Sequence, residues 1–252
     1  MYTDEQLDQL EKEELEIIAE EIALMVLILS LTNKTLEKEL RDFYSKYGTD
    51  GVVTYQEARK WVSEKDHRRR LNVLLLFISD EFDKLFNDLT PRFKELLRKV
   101  AEKEFDFFGV EFPDEFNPLA WGADDKDWEE RLEEDIQLWK YKTQSTVRQS
   151  VLKQATVDTV MEDVHDLFNY MERVLNRLGL TEATAFEAMS MQYMFKQMGV
   201  SKYRFYAQED EKTCEVCGSM HGLEFPISAY LVGTTASPMH PSCRCRTVPI
   251  VE

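Results

Sequence analysis

The side chains best suited to chemistry lie close together at the C-terminal end of the chain. Cys214 and Cys217 are separated by two residues in Thr213-Cys-Glu-Val-Cys-Gly218, and His240, Cys243 and Cys245 follow in His240-Pro-Ser-Cys-Arg-Cys245; no other cysteine occurs. A tight Cys-x-x-Cys turn brings two soft thiolates to one point at little entropic cost, and a second cluster downstream can close a tetrahedral shell around zinc. The five residues are one more than the four positions such a shell offers, and the sequence leaves open whether Cys243 or Cys245 completes it. The zinc expected here is structural: its binding free energy folds a unit too small to be held by a core of its own.

Other chemistries for these cysteines fit less well. Four unrelated free thiols would not gather in one short stretch. Disulfides call for an oxidising compartment, and the chain does not open with the basic, apolar and small-residue pattern of a secretory leader. A thioredoxin-like pair belongs after a strand inside a βαβ unit, which the pattern does not show. A zinc deaminase uses the same cysteine spacing together with an upstream His-x-Glu, and nothing before Cys214 supplies it. Elsewhere there is no phosphate-cradling glycine loop, no nucleophile-elbow serine and no convincing Ser/His/Asp set.

Around the cysteines the wording of the sequence becomes specific. Tyr203-Arg-Phe-Tyr-Ala207, then Asp210-Glu-Lys-Thr-Cys-Glu-Val-Cys-Gly-Ser-Met-His-Gly-Leu-Glu-Phe-Pro226, then His240-Pro-Ser-Cys-Arg-Cys-Arg-Thr-Val-Pro249 resembles the signature of the phage Mu F-like head morphogenesis family, over about 70 residues from Thr181 to Pro249. The family's usual Arg-Thr-Glu on the preceding helix stands here as Leu180-Thr181-Glu182. The resemblance implies a structural minor head protein of a tailed phage or prophage. Such a protein associates with the portal inside the procapsid, with scaffold or major capsid protein as further partners, and enters the virion after assembly in the host cytoplasm. It implies no catalytic residues and no small-molecule substrate. The competing reading is an enzyme, a zinc-containing nuclease-like protein or a toxin that keeps the head-protein module. A nuclease of the His-Asn-His type needs an acidic or histidine base beside the metal, and an appended toxin domain has little room in 252 residues.

The elements that must position these residues are mainly helical. With 43% apolar and 12% aromatic residues the chain is globular, and a formal charge of −17 argues against a protein that coats nucleic acid over its whole surface, so DNA contact would be local. The expected fold is a multi-helix body with a small C-terminal β-containing, zinc-knuckle-like unit. Residues 1–109 form an N-terminal helical region, 110–127 a loop or hinge, 128–199 central helices, and 200–252 the β/zinc unit.

Within the first region, Leu7, Leu10, Glu14, Ile17, Ile18 and Ile22 step at helical spacing from Thr3 towards Tyr47. The run Ile22–Leu31 is apolar on all sides. It is too short for the roughly 20 residues of a membrane span, so it is expected to be buried all round, in the core or between subunits, with no membrane association. Gly48-Thr-Asp-Gly51 breaks the helix, and Thr54-Tyr-Gln-Glu57 has the form of a capping box. The basic stretch Lys65–Arg70 reads as a solvated helix face. Thr90 and Pro91 look like the cap and first residue of a new helix that Gly109 stops. Trp121 and Trp128 are expected to anchor the loop by packing. A break falls near Ala155–Asp158, Gly179 ends a helix, Thr181 caps the next, and its methionine-rich face stops at Gly199. Tyr203–Ala207 and Thr247–Val251 alternate like paired strands, with Pro249 confined to an edge or strand end.

Overall fold

The computed structural model describes residues 3–53, 67–113, 120–122, 124–208 and 210–250. Four long helices come first: α1, Asp4–Tyr47; α2, His67–Phe108; α3, Trp128–Leu152; and α4, Val157–Gln197. The chain then forms β1, Lys202–Tyr206; a short helix α5, Glu215–Met220; β2, Glu224–Pro226; a 3-10 turn, Ile227–Ala229; and β3, Arg246–Ile250. The strands make one antiparallel sheet in the order β2-β1-β3, with Tyr203 opposite both Phe225 and Pro249. A mainly helical chain with a small C-terminal β-unit is therefore what forms, and Pro249 lies on an edge strand as its missing N–H requires.

Local chemistry sets the helix ends. Thr3 and Gln6 cap α1 reciprocally, the Gln6 amide donating to Thr3 Oγ1 and the Thr3 amide to Gln6 Oε1. Asp127 and Glu130 do the same for α3, at 2.9 and 3.0 Å. Thr156 Oγ1 accepts from the Thr159 amide at the start of α4. Gly109 and Gly199, both at φ 67°, turn the chain out of α2 and α4 through the left-handed region that glycine enters without strain.

The chain packs as two compact units. The first comprises Met1–Ala23, Arg92–Glu130 and Leu175–Glu252, the second Leu24–Pro91 and Arg131–Val174. In the second, Met25, Leu74, Phe82, Trp139, Val164 and Met171 are buried to 2% exposure or less. Lys140 pairs with Asp83 at 2.8 Å, the Gln144 side chain donates to the Leu75 carbonyl at 2.7 Å, and the Val157 amide donates to the Gly51 carbonyl at 3.0 Å. In the first, an aromatic core gathers around Tyr203, whose ring lies 4.6 Å from Tyr230, 5.6 Å from Phe225 and 6.2 Å from Phe195. Trp128 stacks on Phe93 at 5.3 Å and Trp121 Nε1 donates to Glu182 at 2.8 Å, so both tryptophans anchor the segment before α3 by packing and hydrogen bonding.

Two expectations do not hold, and a third is met within the chain on one helix face only. Thr90 and Pro91 do not begin a helix: α2 runs through them, and Thr90 Oγ1 donates back to the Phe86 carbonyl at 2.9 Å. Proline in a helix costs about 3 kcal/mol. Leu85, Leu89, Phe93 and Leu96, all fully buried, continue one stripe across it, and each such side chain contributes about 1.5–3 kcal/mol. Gly179 does not end a helix, nor does Thr181 start one, because α4 is continuous there; a Cβ on Gly179 would lie 2.9 Å from the Ile22 side chain, so the glycine permits a close approach. The Ile22–Leu31 run is not buried all round within the chain: Ile22, Met25 and Leu29 face inward, while Leu27 and Leu31 are 55% and 54% exposed. No helix among the described residues is long and apolar enough to cross a membrane. The Thr54–Glu57 capping box and the start of the Lys65–Arg70 stretch lie outside the described residues.

Candidate metal centre

Two loops carry the five candidate ligands. The first leaves β1 and is shaped by Asp210 and Thr213: the Asp210 amide donates to Thr213 Oγ1 at 2.9 Å, the Lys212 amide to Asp210 Oδ1 at 2.8 Å, and Thr213 Oγ1 to the Gln208 carbonyl. Cys214 then occupies the N-cap of α5, with an extended backbone at φ −76° and ψ 160°, and its Sγ accepts from the Cys217 amide at 3.3 Å. The Cys-x-x-Cys spacing thus becomes one helical turn, with Cys214 at its mouth and Cys217 buried inside it.

The second loop is a turn of the form proline predicts. The Cys243 amide donates to the His240 carbonyl at 3.1 Å, Pro241 takes the second position, and Ser242 takes the third at φ 60°. This is the type II pattern, and it folds His240 and Cys243 to the same side. Helix α4 supports the turn from outside. Thr181 Oγ1 accepts from the Ser242 amide at 2.9 Å while donating to the Arg177 carbonyl at 2.6 Å, and Thr184 Oγ1 donates to the Cys243 carbonyl at 2.8 Å. Arg244, between the last two cysteines, makes a two-pronged pair with Asp210 of the first loop at 2.6 and 2.7 Å, tying the loops together. That guanidinium, with the Lys212 amide, holds the Asp210 carboxyl well below the usual range.

All five sequence-predicted residues come together. The ligand atoms of Cys214, Cys217 and His240 lie within 4.8 Å of one another, as do those of Cys217, Cys243 and Cys245, so Cys217 is common to both sets. Cys217 Sγ lies 3.5 Å from His240 Nε2 and 3.8 Å from Cys243 Sγ. His240 Nδ1 is 2.9 Å from the Pro241 carbonyl, which only accepts, so Nδ1 carries the proton and Nε2 keeps its lone pair for a ligand. All four cysteines are free.

The thiols are unequal in acidity. The Cys217 amide draws Cys214 below the ordinary thiol range. Donation from the Cys245 thiol, with backbone amides, brings Cys243 down to about 5. Burial, reinforced by the charge on Cys243, pushes Cys217 up to about 12, and its hydrogen bond to Cys243 and its burial hold Cys245 far above the thiol range. Cys243 is therefore poised as a thiolate, and Cys214 is shifted in the same direction, beside two thiols that keep their protons. That imbalance is what a bound dication removes, since a coordinating thiol is deprotonated outright.

Sequence reasoning picked out the five residues that the fold brings together but missed their supports. Arg244 and Asp210 lay inside the quoted motifs without an assigned partner, and Thr184 gave no signal.

A family model described as Phage Mu protein F like protein matches residues 117–248, a span that takes in α3, α4, β1, β2, the start of β3 and all five candidate ligands. No curated protein and no solved structure gives a significant match.

Proposed function

The chain belongs to the phage Mu F-like family, and from that premise we propose that it is a structural minor head protein of a tailed phage or prophage, which associates with the portal inside the procapsid and is carried into the virion. The match over residues 117–248 is the observation that carries this reading, because it covers more than half of the chain and the whole metal centre. Scaffold and major capsid proteins are further partners during assembly in the host cytoplasm. The strong negative charge restricts any contact with packaged DNA to local basic patches.

In this reading the centre holds one structural zinc ion. Cys214, Cys217 and His240 supply three ligands and Cys243 or Cys245 the fourth; the metal supplies folding free energy to the C-terminal unit and activates no water. Zinc bonds of about 2.3 Å to sulfur and about 2.05 Å to nitrogen give tetrahedral edges of about 3.8 Å between two sulfurs and about 3.5 Å between sulfur and nitrogen. The separations of 3.8 Å for Cys217–Cys243 and 3.5 Å for Cys217–His240 fit those edges.

The purified zinc-loaded chain, mixed with the portal protein of the same phage, is expected to co-elute with it in size-exclusion chromatography. It is expected to leave supercoiled plasmid intact with added magnesium, manganese or zinc. Failure to bind the portal, together with plasmid cleavage that Cys217→Ser abolishes, would replace this reading with the nuclease-like one.

A further inference from the structure

The metal centre uses none of a second set of buried ionisable groups. Glu14 of α1, Glu104 of α2 and Glu187 of α4 bring carboxylate oxygens within 4.8 Å of one another, and all three residues are buried. The guanidinium of Arg246, the first residue of β3, lies among them: Nη2 contacts Glu14 Oε2 and is 3.4 Å from both Glu104 Oε1 and Glu187 Oε1. Arg246 is itself only 3% exposed, and among the described residues it is the one cation within ion-pair distance of the three. Both oxygens of Glu104 and one each of Glu14 and Glu187 have no hydrogen-bond partner.

Three ionised carboxylates against one guanidinium would leave two uncompensated negative charges in the interior, which is strongly unfavourable. Either a bound cation or protons must close the balance. A metal ion would need the place the guanidinium holds, since Arg246 already contacts all three carboxylates. Protons need no space and turn unpartnered carboxylate oxygens into donors.

We propose that Glu14, Glu104, Glu187 and Arg246 form a proton-dependent latch that fastens β3 to α1, α2 and α4, closed while two of the three carboxyl groups carry protons and loosened as the medium becomes alkaline. Glu104 faces Glu14 from α1, Glu187 from α4, Arg246 from β3, and Tyr230 from the segment between β2 and β3, while Glu187 also faces Glu11 of α1 and Cys243 of the turn before β3. Burial, then the Glu14 carboxylate, holds Glu104 well above the usual carboxyl range against the pull of Arg246. Burial does the same for Glu187, with Arg246 opposing and Glu14 and Glu11 adding to the rise. Glu11 is lifted to about 7 by burial, against Arg246 and Arg244, and burial keeps the Tyr230 hydroxyl neutral far into the alkaline range. A carboxyl raised in the folded state binds its proton more tightly there than in the unfolded chain. Its contribution to stability is therefore fully present below the ordinary value of 4.5 and is lost as pH rises towards the folded-state value, about tenfold in the unfolding equilibrium per pH unit per group.

Glu104→Gln keeps the shape and donor capacity of the protonated acid and cannot ionise. Urea unfolding of the zinc-loaded chain and this variant should be compared between pH 5.5 and 9, together with protease cleavage of the segment that contains β3. The zinc centre is common to both proteins, so its own pH dependence cancels in the comparison. The latch predicts an unfolding constant that rises with pH about tenfold per unit more steeply in the wild type than in the variant, which still needs one proton, with correspondingly greater cleavage of the wild type at alkaline pH. Equal slopes would overturn it. So would stabilisation of the wild type, and not of the variant, by magnesium, calcium or manganese, because the trio would then hold a cation rather than protons. Should Glu104→Gln fail to fold, Glu187→Gln makes the same comparison with the same two outcomes.

Discussion

At the residue scale, Thr181 ties helix α4 to the turn that carries His240 and Cys243. Its hydroxyl satisfies an amide that would otherwise lack an acceptor, which is what a helix cap does, but that amide belongs to Ser242 on the ligand turn rather than to the start of a helix. Thr181→Val keeps the volume and removes the acceptor. The expected result is a zinc affinity lower by about tenfold or more, the usual cost of losing a group that orients a ligand, at unchanged helix content. Competition with a chromophoric chelator measures it, and an unaltered affinity would show that the turn holds itself. The clustering of the five candidate residues was legible because two of the cysteines stand two residues apart and the other three residues follow within six positions of one another. Their supports were not, since Thr181, Thr184, Asp210 and Arg244 meet only after the chain has folded. Glu14 left a trace: a glutamate standing among Leu7, Leu10, Ile18 and Ile22 on an apolar stripe has to find a buried partner, and Arg246 is that partner.

At the scale of elements, hydrophobic periodicity located the helices, while residues that punctuate helices misplaced two of their ends. Pro91 and Gly179 both stand inside helices because the packing on either side outweighs a local cost. Gly179→Ala tests this for α4. Alanine gains about 1 kcal/mol in helix propensity, but its Cβ would press on Ile22 Cγ1 and Cδ1 at 2.9 Å, and overpacking costs about 1–3 kcal/mol. A net loss of about 1 kcal/mol in thermal or urea unfolding is expected, and a stabilised variant would contradict the close-approach explanation. The three-residue strand β2 escaped notice because Glu224-Phe-Pro226 is too short to show alternation. The C-terminal unit carries the prediction for metal removal. Stripping zinc with a chelator, or replacing Cys217 by serine, should open the segment from about Tyr203 to Ile250 to protease while the circular dichroism of the long helices persists. A metal-free protein whose C-terminal segment stays protected would show that zinc does not fold it.

At the scale of the molecule, each compact unit is assembled from separate stretches of sequence, and all four long helices divide their length between the units, at Ala23/Leu24, Pro91/Arg92, Glu130/Arg131 and Val174/Leu175. Periodicity tells which face of a helix is apolar, not which distant helix covers it, so this partition could not be read along the chain. The acidic composition and the signature around the ligands were legible, and the family match extends that signature back through α4 and α3. The central claim is that this family membership makes the chain a structural part of the phage head. Its most direct test is to purify procapsids and mature virions of the phage or induced prophage that encodes the chain and to identify their proteins by mass spectrometry, with the Cys217→Ser variant in parallel. The account predicts the chain in both kinds of particle together with the portal, and a variant that stays soluble yet is lost from the particles. Infectious particles that contain no copy of the chain would contradict it.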